Sequence, residues 1–501
     1  MAKLRTNILT NYAGQAWIAL MNIAFIPVYV RLLGLEAFGL VGMMLSLQAI
    51  TLLLDFGMGG VLNREIARRS HLPLAAATVG TLVRTFEWII WPIALLIAVV
   101  IGMSAPLLAG HWLHAEHMPP ATVDGAIRLI GIAIAMLWPT SFYSNGLSGL
   151  ERQPTLNVIA ATFATLRSAG VIPVLYCVSP TIEAFLWWNV LVNGLNSFAV
   201  AIALWRYVPR GERPEFRRSE LRSAGRFAGG LVAITALAVS LSQLDRIVLS
   251  NRLPLAELGY YTVAISIVGG LGRLIQPMFN AIYPRFSRLV AIGDEAGLRT
   301  LYHLGNQCLS PLIAATSCML AAFAGDVVLL WTGDAGIAAR VAAPLAILVA
   351  GTALNGLLNL PYALQLANGW TRLTVVTNLV CLTAGIPFCI WAVDHHGLAG
   401  AATLTLAFNM VNFFVNIPVM HSRLLKGELS AFYLRDVAPA FVAATIIATC
   451  ARLLLPPLTR SVTSVAGLAM ASALCLVVAT VSMPLLRKRG LQWVKSRRKL
   501  P

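Results

Sequence analysis

Residues 206–227 read RYVPRGERPEFRRSELRSAGRF and contain seven arginines. Long apolar stretches flank this segment on both sides, and no other interior stretch stays polar for so long. Basic segments that connect apolar spans collect on the cytoplasmic side of a membrane. We therefore interpret residues 206–227 as a cytoplasmic linker between two membrane-embedded halves.

The composition of the whole chain agrees with a membrane location. Of the 501 residues, 58% are hydrophobic and only 11% are charged, and the mean hydropathy is +0.77. A soluble domain carries roughly 25% charged residues. Because apolar runs long enough to cross a bilayer recur along the chain, and because spanning backbone must satisfy its own hydrogen bonds, the sequence predicts an all-α, polytopic integral membrane protein.

Fourteen candidate spans can be placed on the hydropathy pattern. They cover residues 11–33, 37–62, 86–109, 125–148, 156–178, 183–205, 228–250, 258–283, 306–331, 339–365, 373–393, 398–422, 437–456 and 463–486. With a cytoplasmic N-terminus, 28 lysines and arginines fall in inside segments and four in outside segments. This asymmetry predicts that both termini are cytoplasmic. The net charge of +17 arises from cations in the short loops between spans, so it does not indicate binding of nucleic acid.

An internal repeat relates the two halves. The turn after the first span, LLGLEAFGLVGMM (32–44), matches RLPLAELGYYTVA (252–264) after the seventh, with Gly39 and Gly259 offset by 220 residues. SNGLSGLERQPTLNV (144–158) likewise matches PYALQLANGWTRLTV (361–375) at an offset of 217. Two parallel copies of a six-helix unit, with a substrate path between them, are typical of one class of transporter fold.

The repeat and the linker together predict the domain organisation. We expect a six-helix lobe at 1–205, the basic linker at 206–227 and a second six-helix lobe at 228–422. Two additional transmembrane helices follow at 423–486, and a basic cytoplasmic tail occupies 487–501.

Charged residues inside the spans are the candidates for function, because a charge in hydrocarbon is costly. A guanidinium stays charged and can bind phosphate through two parallel hydrogen bonds. We expect Arg167 and Arg273 to face a cationic cavity and to contact an anionic headgroup, with pairing to acids of other helices as the alternative. Arg128 and Arg452 lie nearer the span ends, where their side chains can reach the interface.

The acids inside the spans have two interpretations. Asp245 and Arg246 are neighbours and point about 100° apart on a helix, so they are not each other's main partners. Asp245 either pairs with an arginine of another span or, with Asp55, belongs to an ion- or proton-coupling site. Glu87 follows Arg84 by three residues near two tryptophans, a pattern typical of an ion pair at the membrane interface.

Several kinds of site are absent from the sequence. It contains no GxxxxGK[ST], HExxH or GxSxG motif and no CxxC pair among its seven cysteines. The histidines 111, 114 and 117 are expected in a solvated outside loop rather than at a metal. The protein is therefore expected to be a secondary transporter without ATPase, metal or cofactor, with coupling to Na⁺ or H⁺ as a candidate energy source.

Four stretches of the chain resemble a known family: IPVYVRLLGLEAFGLVGMM (26–44), LLLDFGMGGVLNREIARR (52–69), SQLDRIVLSNRLPLAELGYYTVA (242–264) and PYALQLANGWTRLT (361–374). They are similar to segments of bacterial O-antigen and exopolysaccharide flippases. These belong to the polysaccharide-transporter branch of the multidrug/oligosaccharidyl-lipid/polysaccharide (MOP) exporter superfamily. The similarity extends over nearly the whole chain.

The resemblance implies movement of an undecaprenyl-pyrophosphate-linked oligosaccharide from the cytoplasmic to the periplasmic leaflet, for O-antigen or exopolysaccharide synthesis. A polysaccharide polymerase and a chain-length regulator are the implied partners. The family's cationic cavity would correspond to Arg167 and Arg273, with Arg128 and Arg246 as further members. Asp55 and Asp245 match the aspartates of the LLDFG and QLD patterns and are implied ion-coupling candidates.

Three rival functions remain open at this point. A multidrug antiporter of the same superfamily would export organic cations and should have an acidic, aromatic cavity, which the deep arginines disfavour. A peptidoglycan-precursor flippase shares the superfamily, but its sequence patterns are not evident. A membrane glycosyltransferase or polymerase usually has long outside loops with catalytic acids, whereas the longest outside loop here, 110–124, holds only Glu116 and Asp124.

Overall fold

The computed structural model describes residues 14–55, 57–69, 75–208, 215–216, 236–456 and 458–487. Most of the predicted linker 206–227, the start of the predicted span 228–250, the first 13 residues and nearly all of the predicted tail 487–501 lie outside these ranges. The described chain is built from helices, which confirms the predicted fold class.

The helices of the first half of the chain are α1 (Gly14–Leu33), α2 (Leu35–Thr51), α3 (Met58–Arg69), α4 (Ala75–Leu107), α5 (Pro120–Leu137), α6 (Pro139–Gly149), α7 (Gln153–Ser168), α8 (Val171–Cys177) and α9 (Ile182–Tyr207). Those of the second half are α10 (236–252), α11 (Leu255–Ala291), α12 (Glu295–Ala322), α13 (Ala324–Thr332), α14 (Ala335–Ala367), α15 (Arg372–Val411), α16 (Ile417–Leu424), α17 (Leu429–Leu454) and α18 (Val462–Val481). Short π-helical turns interrupt or extend several of them, for example at Leu108–Trp112 and Asn412–Asn416.

The number of membrane spans differs from the predicted fourteen. Among the described residues, 11 helices are long and apolar enough to cross a membrane, or 12 if α12 and α13, which meet at a bend of 76°, form one span. The described part of α10 covers only residues 236–252. The integral membrane character is therefore confirmed, whereas the count of fourteen is not.

One continuous stretch, Arg372–Leu424, accounts for part of this difference. Its 53 residues would extend about 80 Å as a straight helix, more than twice the thickness of a bilayer core. At Gly397 the backbone has φ 56° and ψ −129°, a conformation that glycine adopts readily. A Cβ built on Gly400 would lie 1.9 Å from the carbonyl oxygen of Ala392, although the two residues would be about 12 Å apart in a straight helix. The chain therefore turns back here, and the predicted spans 373–393 and 398–422 lie on either side of the turn.

The predicted span 37–62 is also interrupted. Helix α2 ends at Thr51, a single 3-10 turn covers Leu52–Asp55, and α3 starts at Met58. Because the first residues of α3 are apolar, a prediction from hydropathy alone extends the span 37–62 into this helix. Helix α3 instead packs against α6, where a Cβ on Gly149 would lie 2.7 Å from the carbonyl oxygen of Asn63.

The chain forms two compact units, Met1–Thr262 and Val263–Pro501. In the first unit α5 packs between α4 and α9, and the buried side chains of α5 are apolar or small. In the second, α14 packs against α12, α13 and α15. The predicted domain boundaries at 205 and 228 stay a prediction.

The first turns of α2 and α11 cross at two glycines within the first unit. A Cβ on Gly39 would lie 2.2 Å from the carbonyl oxygen of Leu255, and a Cβ on Gly259 would lie 2.2 Å from that of Leu35. Leu255 lies four residues before Gly259, and Leu35 lies four residues before Gly39. Each glycine therefore contacts the same position, relative to the other glycine, in the other copy of the repeat. The contact is reciprocal, as expected for equivalent positions of an internal repeat.

The histidine-containing loop after α4 is attached beside this crossing. The carboxylate of Glu36 accepts hydrogen bonds from the backbone N–H groups of Glu116 (2.5 Å) and His117 (3.2 Å). The carbonyl oxygen of His114 accepts one from the N–H of Leu255 at 2.9 Å. The imidazoles of residues 111, 114 and 117 are exposed. Among the described residues, no group of three His, Cys, Asp or Glu side chains is arranged to hold a metal ion.

The last two helices, α17 and α18, pack against α12 in the second unit. At one end of α17, Asp436 is fully buried and contacts His303 Nδ1 at 2.5 Å and Gln307 Nε2 at 2.8 Å. At the other end, the guanidinium of Arg452 donates to Asp326 at 2.5 Å. The C-terminal helix pair is thus fastened to α12 and α13 at both ends.

Candidate functional site

Arg167 lies in the last turn of α7, a helix that starts at Gln153 with a proline in its first turn. Its Nε atom is buried and has no hydrogen-bond partner in the described part of the chain. The neighbouring helix α1 places Tyr29 beside it, with the phenol donating to the carbonyl oxygen of Ser168 at 2.5 Å. Within the described ranges no carboxylate lies at salt-bridge distance from Arg167, so the geometry gives no support to pairing with an acid of another helix.

Arg273 lies on α11 in the second unit, and its side chain is exposed. The rest of α11 from residue 263 to 291 and all of α14 contain no aspartate or glutamate. No ion pair of Arg273 is present among the described residues. Two guanidiniums within the spans, one in each unit, are therefore without a neutralising carboxylate, as a site for an anion requires.

Asp245 and Arg246 occupy different surroundings, as their helical offset predicts. Asp245 is only 5% exposed, and one of its oxygens accepts from the Tyr261 hydroxyl on α11 at 2.6 Å. The partner of Asp245 on another helix is therefore Tyr261, and not the arginine of another span that was one of the two predictions. Arg246 donates from Nη1 to Gln243 at 3.0 Å, and its buried Nε has no partner in the described ranges.

The remaining two predicted site residues have local partners. Asp55 is half-buried, and its carboxylate accepts a long hydrogen bond of 3.4 Å from the N–H of Gly59, at the start of α3. Arg128 is exposed and contacts Asp124 one turn earlier, with Nε 2.8 Å from Oδ2. The charge of Arg128 is therefore matched on its own helix, in contrast to those of Arg167 and Arg273.

A buried polar cluster around Glu87 was not foreseen from the sequence. The expected contact with Arg84 is present at 3.1 Å, and Glu87 is only 8% exposed. It also accepts from Trp205 Nε1 at 2.7 Å and from the Tyr143 hydroxyl at 3.0 Å. The cluster joins α4, α6 and α9. No sequence signal connects Glu87 with Trp205, because they are 118 residues apart.

This arrangement predicts that Glu87 stabilises the fold by accepting hydrogen bonds from Tyr143 and Trp205. Glu87→Leu should lower the free energy of unfolding by about 2–4 kcal/mol, because two buried donors lose their partner. Glu87→Gln keeps one side-chain oxygen and should lose less. Thermal unfolding of the purified protein checks this, with the exposed Glu151→Gln as the matched control. A Glu87→Gln protein that unfolds like the wild type and yet transports nothing would instead assign proton coupling to this carboxylate.

A comparison with protein-family models identifies the chain. The model described as "Polysaccharide biosynthesis protein" matches residues 4–290, more than half of the sequence. The chain belongs to this family. Three of the four segments that resemble the flippases, at 26–44, 52–69 and 242–264, lie inside the matched range. The search of curated proteins found no match for this polysaccharide biosynthesis protein.

Solved structures with the same fold are MOP superfamily transporters. An inward-facing multidrug resistance MATE family transporter of that superfamily has a TM-score of 0.69 and 15% identity, over 81% of this chain and 96% of its own. The lipid II flippase MurJ in an inward closed conformation has a TM-score of 0.67 and 10% identity, over 95% of this chain and 98% of its own. At these identities the likeness concerns the fold alone.

A third structure with this fold is a MOP superfamily transporter from Pyrococcus furiosus. In that protein the reverse polarity of the binding pocket suggests a different function. It has a TM-score of 0.52 and 14% identity, over 85% of this chain and 93% of its own. The chain thus has the fold of a membrane transporter, and the two intramembrane arginines without a carboxylate partner in its described ranges are its candidate binding residues.

Proposed function

We propose that this protein is a flippase that moves an undecaprenyl-pyrophosphate-linked oligosaccharide from the cytoplasmic to the periplasmic leaflet of the inner membrane by alternating access. The cargo would be the repeat unit of an O-antigen or exopolysaccharide. The observation that carries the proposal is the presence of two intramembrane guanidiniums, Arg167 and Arg273, without neutralising carboxylates in the described chain. Membership of a polysaccharide biosynthesis family supports the choice of cargo.

The physical task of a flippase fits these residues. A pyrophosphate-linked sugar crosses hydrocarbon slowly, because its charges and hydroxyls lose their water. A guanidinium replaces that water with paired, charge-assisted hydrogen bonds to phosphate oxygens. Arg167 and Arg273 are the proposed principal contacts. Arg246, with its partnerless Nε, and Arg128, already paired with Asp124, are proposed as secondary members of the site.

The energy for net movement is proposed to come from an ion gradient, the membrane potential or removal of the product, because the sequence has no phosphate-binding loop. Asp55 and Asp245 are the proposed sites for Na⁺ or H⁺. Among the described residues the half-buried Asp55 has one long hydrogen bond, so its carboxylate can accept a further partner. Asp245 would have to release the Tyr261 hydroxyl first.

The proposed topology places both termini in the cytoplasm, with the basic linker 206–227 on the same side. Delivery of the cargo to the periplasmic leaflet would supply a polysaccharide polymerase and a chain-length regulator, which are the proposed partners. No nucleic acid is expected as a partner.

Deletion of the gene tests the proposal. The deletion strain should lose its surface glycan and accumulate the lipid-linked repeat unit on the cytoplasmic side, and the plasmid-borne wild type should restore both. A drug-susceptibility panel on the same strain serves as the test of the MATE-like alternative. Complete surface glycan in the deletion strain, with no second copy of the gene, would contradict the proposal, and hypersensitivity to organic cations would favour a multidrug antiporter.

A further inference from the structure

A polar stripe runs along the exposed side of α11 in the second unit. Arg273, Gln276 and Asn280 follow each other at intervals of three and four residues, and all three side chains are exposed. This spacing puts them on one helix face. Gln276 and Asn280 lie about 4.5 and 10 Å along the helix axis from Arg273. Uncharged amides therefore continue the face on which the proposed phosphate-binding arginine lies.

The neighbouring helix α14 exposes no large apolar side chain. Its exposed positions carry only small or polar residues, namely Ala335, Gly336, Ala339, Arg340, Ala343, Ala350 and Asn355. By contrast, α4 exposes Leu95, Leu96 and Met103 at 66%, 55% and 77%. Asn355 is the polar side chain among these exposed positions that lies well inside the span, and an amide in hydrocarbon is costly unless it meets protein or water. The exposed face of α14 around Asn355 is therefore expected to line a hydrated space.

Three aromatic rings join the two helices at this face. Phe279 stacks on Tyr283 with ring centroids 5.6 Å apart and on Tyr362 of α14 at 6.3 Å. Phe279 and Tyr283 also pack against the apolar core of the unit. The two helices also pack through side chains, because a Cβ on Gly356 would lie 2.7 Å from Ile275 Cδ1. The rings therefore form a fixed platform.

The amides around this platform are oriented by bonds among themselves. Asn355 Nδ2 donates to Asn409 Oδ1 at 3.0 Å, Asn359 Nδ2 donates to the carbonyl oxygen of Asn355 at 3.3 Å, and Gln276 Nε2 donates to Asn280 Oδ1 at 3.3 Å.

Several polar atoms of the same face have no partner in the described part of the chain. They are Gln276 Oε1, Asn280 Nδ2, Asn359 Oδ1 and the hydroxyls of Tyr283 and Tyr362. The face thus offers both donors and acceptors, and none of these groups carries a charge.

Amides and tyrosine hydroxyls beside stacked rings are suited to a sugar. Sugar hydroxyls both donate and accept hydrogen bonds, and the C–H groups on the face of a sugar ring can pack against the negative face of an aromatic ring. A carboxylate would favour an organic cation, and neither α14 nor α11 between 263 and 291 has one.

We propose that the α11–α14 face, formed by Gln276, Asn280, Tyr283, Asn355, Asn359 and Tyr362, binds the saccharide part of the cargo. The inference rests on the proposed flippase function and adds a subsite to it. Arg273 binds the phosphate nearest the sugar, and the amides one and two turns further along α11 bind the first sugar residues. The cationic residues then bind the pyrophosphate of the lipid carrier, which many cargoes share, whereas the α11–α14 face determines which sugar is bound.

Binding of two lipids to the purified full-length protein separates these roles. The probes are undecaprenyl pyrophosphate, which has no sugar, and the lipid-linked repeat unit extracted from the deletion strain. Gln276→Ala/Asn280→Ala removes two exposed side chains and should weaken binding of the lipid-linked repeat about tenfold, as expected for two lost hydrogen bonds. Its affinity for undecaprenyl pyrophosphate should stay within about twofold of the wild type. The matched control is Leu274→Ala, a change on the same helix outside the polar stripe.

A second variant tests the tyrosine hydroxyl at this face without disturbing the packing of the rings. Tyr362→Phe keeps the ring and loses the hydroxyl, and should weaken binding of the lipid-linked repeat severalfold without affecting the sugar-free lipid. The inference is overturned if both lipids lose affinity equally, if neither does, or if the variants lose only ethidium binding, which would indicate a site for aromatic cations. A wild-type protein that binds neither lipid would overturn the proposed flippase function itself, a result distinct from a failure of the saccharide site alone.

Discussion

Arg273→Gln should abolish surface glycan and cause accumulation of the lipid-linked repeat unit. Glutamine retains hydrogen-bonding capacity but loses the charge and the planar pair of donors that bind phosphate. Loss of two charge-assisted hydrogen bonds, at about 1.5–3 kcal/mol each, corresponds to at least a hundredfold weaker binding of the pyrophosphate. The measurement is surface glycan in the deletion strain carrying the variant, normalised to the amount of protein in the membrane.

Arg288→Gln is the matched control for this experiment. Arg288 is exposed on the same helix, 15 residues further along, and is not part of the stripe that contains Arg273. It should support normal glycan display. Arg273→Lys should restore part of the activity, because an ammonium keeps the charge without the fork geometry. Full glycan display by Arg273→Gln at wild-type protein levels would remove Arg273 from the proposed site.

Gly39→Ala and Gly259→Ala should each destabilise the protein by about 3 kcal/mol. A methyl group at either position would lie 2.2 Å from a backbone carbonyl oxygen, and backbone yields less readily than a side chain end. The two losses should be similar, because the contacts are reciprocal. Thermal unfolding of the purified variants measures them.

Gly102→Ala is the matched control for the two glycine variants. Gly102 lies inside helix α4, and a Cβ there would meet no atom within 4 Å. Because alanine favours the helix over glycine, this variant should be as stable as the wild type or slightly more so. Equal stability of all three alanine variants would show that α2 and α11 do not cross as closely as described.

The fold class and the repeat could be predicted from the sequence because they depend on patterns that are local or periodic. Apolar runs of fixed length define the spans, and Gly39 and Gly259 mark equivalent turns that the structure brings into direct contact. The break after Thr51 was missed, because the apolar run continues beyond Asp55 into the first turn of α3. Hydropathy measures composition and does not detect a change of helix direction.

The candidate site was only partly accessible from the sequence. Charges within the spans drew attention to Arg167 and Arg273, and the structure leaves both without a carboxylate partner in its described ranges. It could not be foreseen that Asp245 bonds to Tyr261 or that Glu87 is buried with Trp205, because these contacts join different helices. The amide stripe did leave a signal in the recurrence of Gln and Asn at helical spacing, which a search restricted to charges overlooks.

The attachment of α17 to α12 and α13 has a practical consequence. Because Asp436 and Arg452 anchor α17 at opposite ends, the C-terminal helix pair cannot shift within the second unit without breaking the buried contacts of Asp436 and the ion pair of Arg452 with Asp326. A fluorescent label in the short connection between α17 and α18 would therefore report the displacement of the whole second unit.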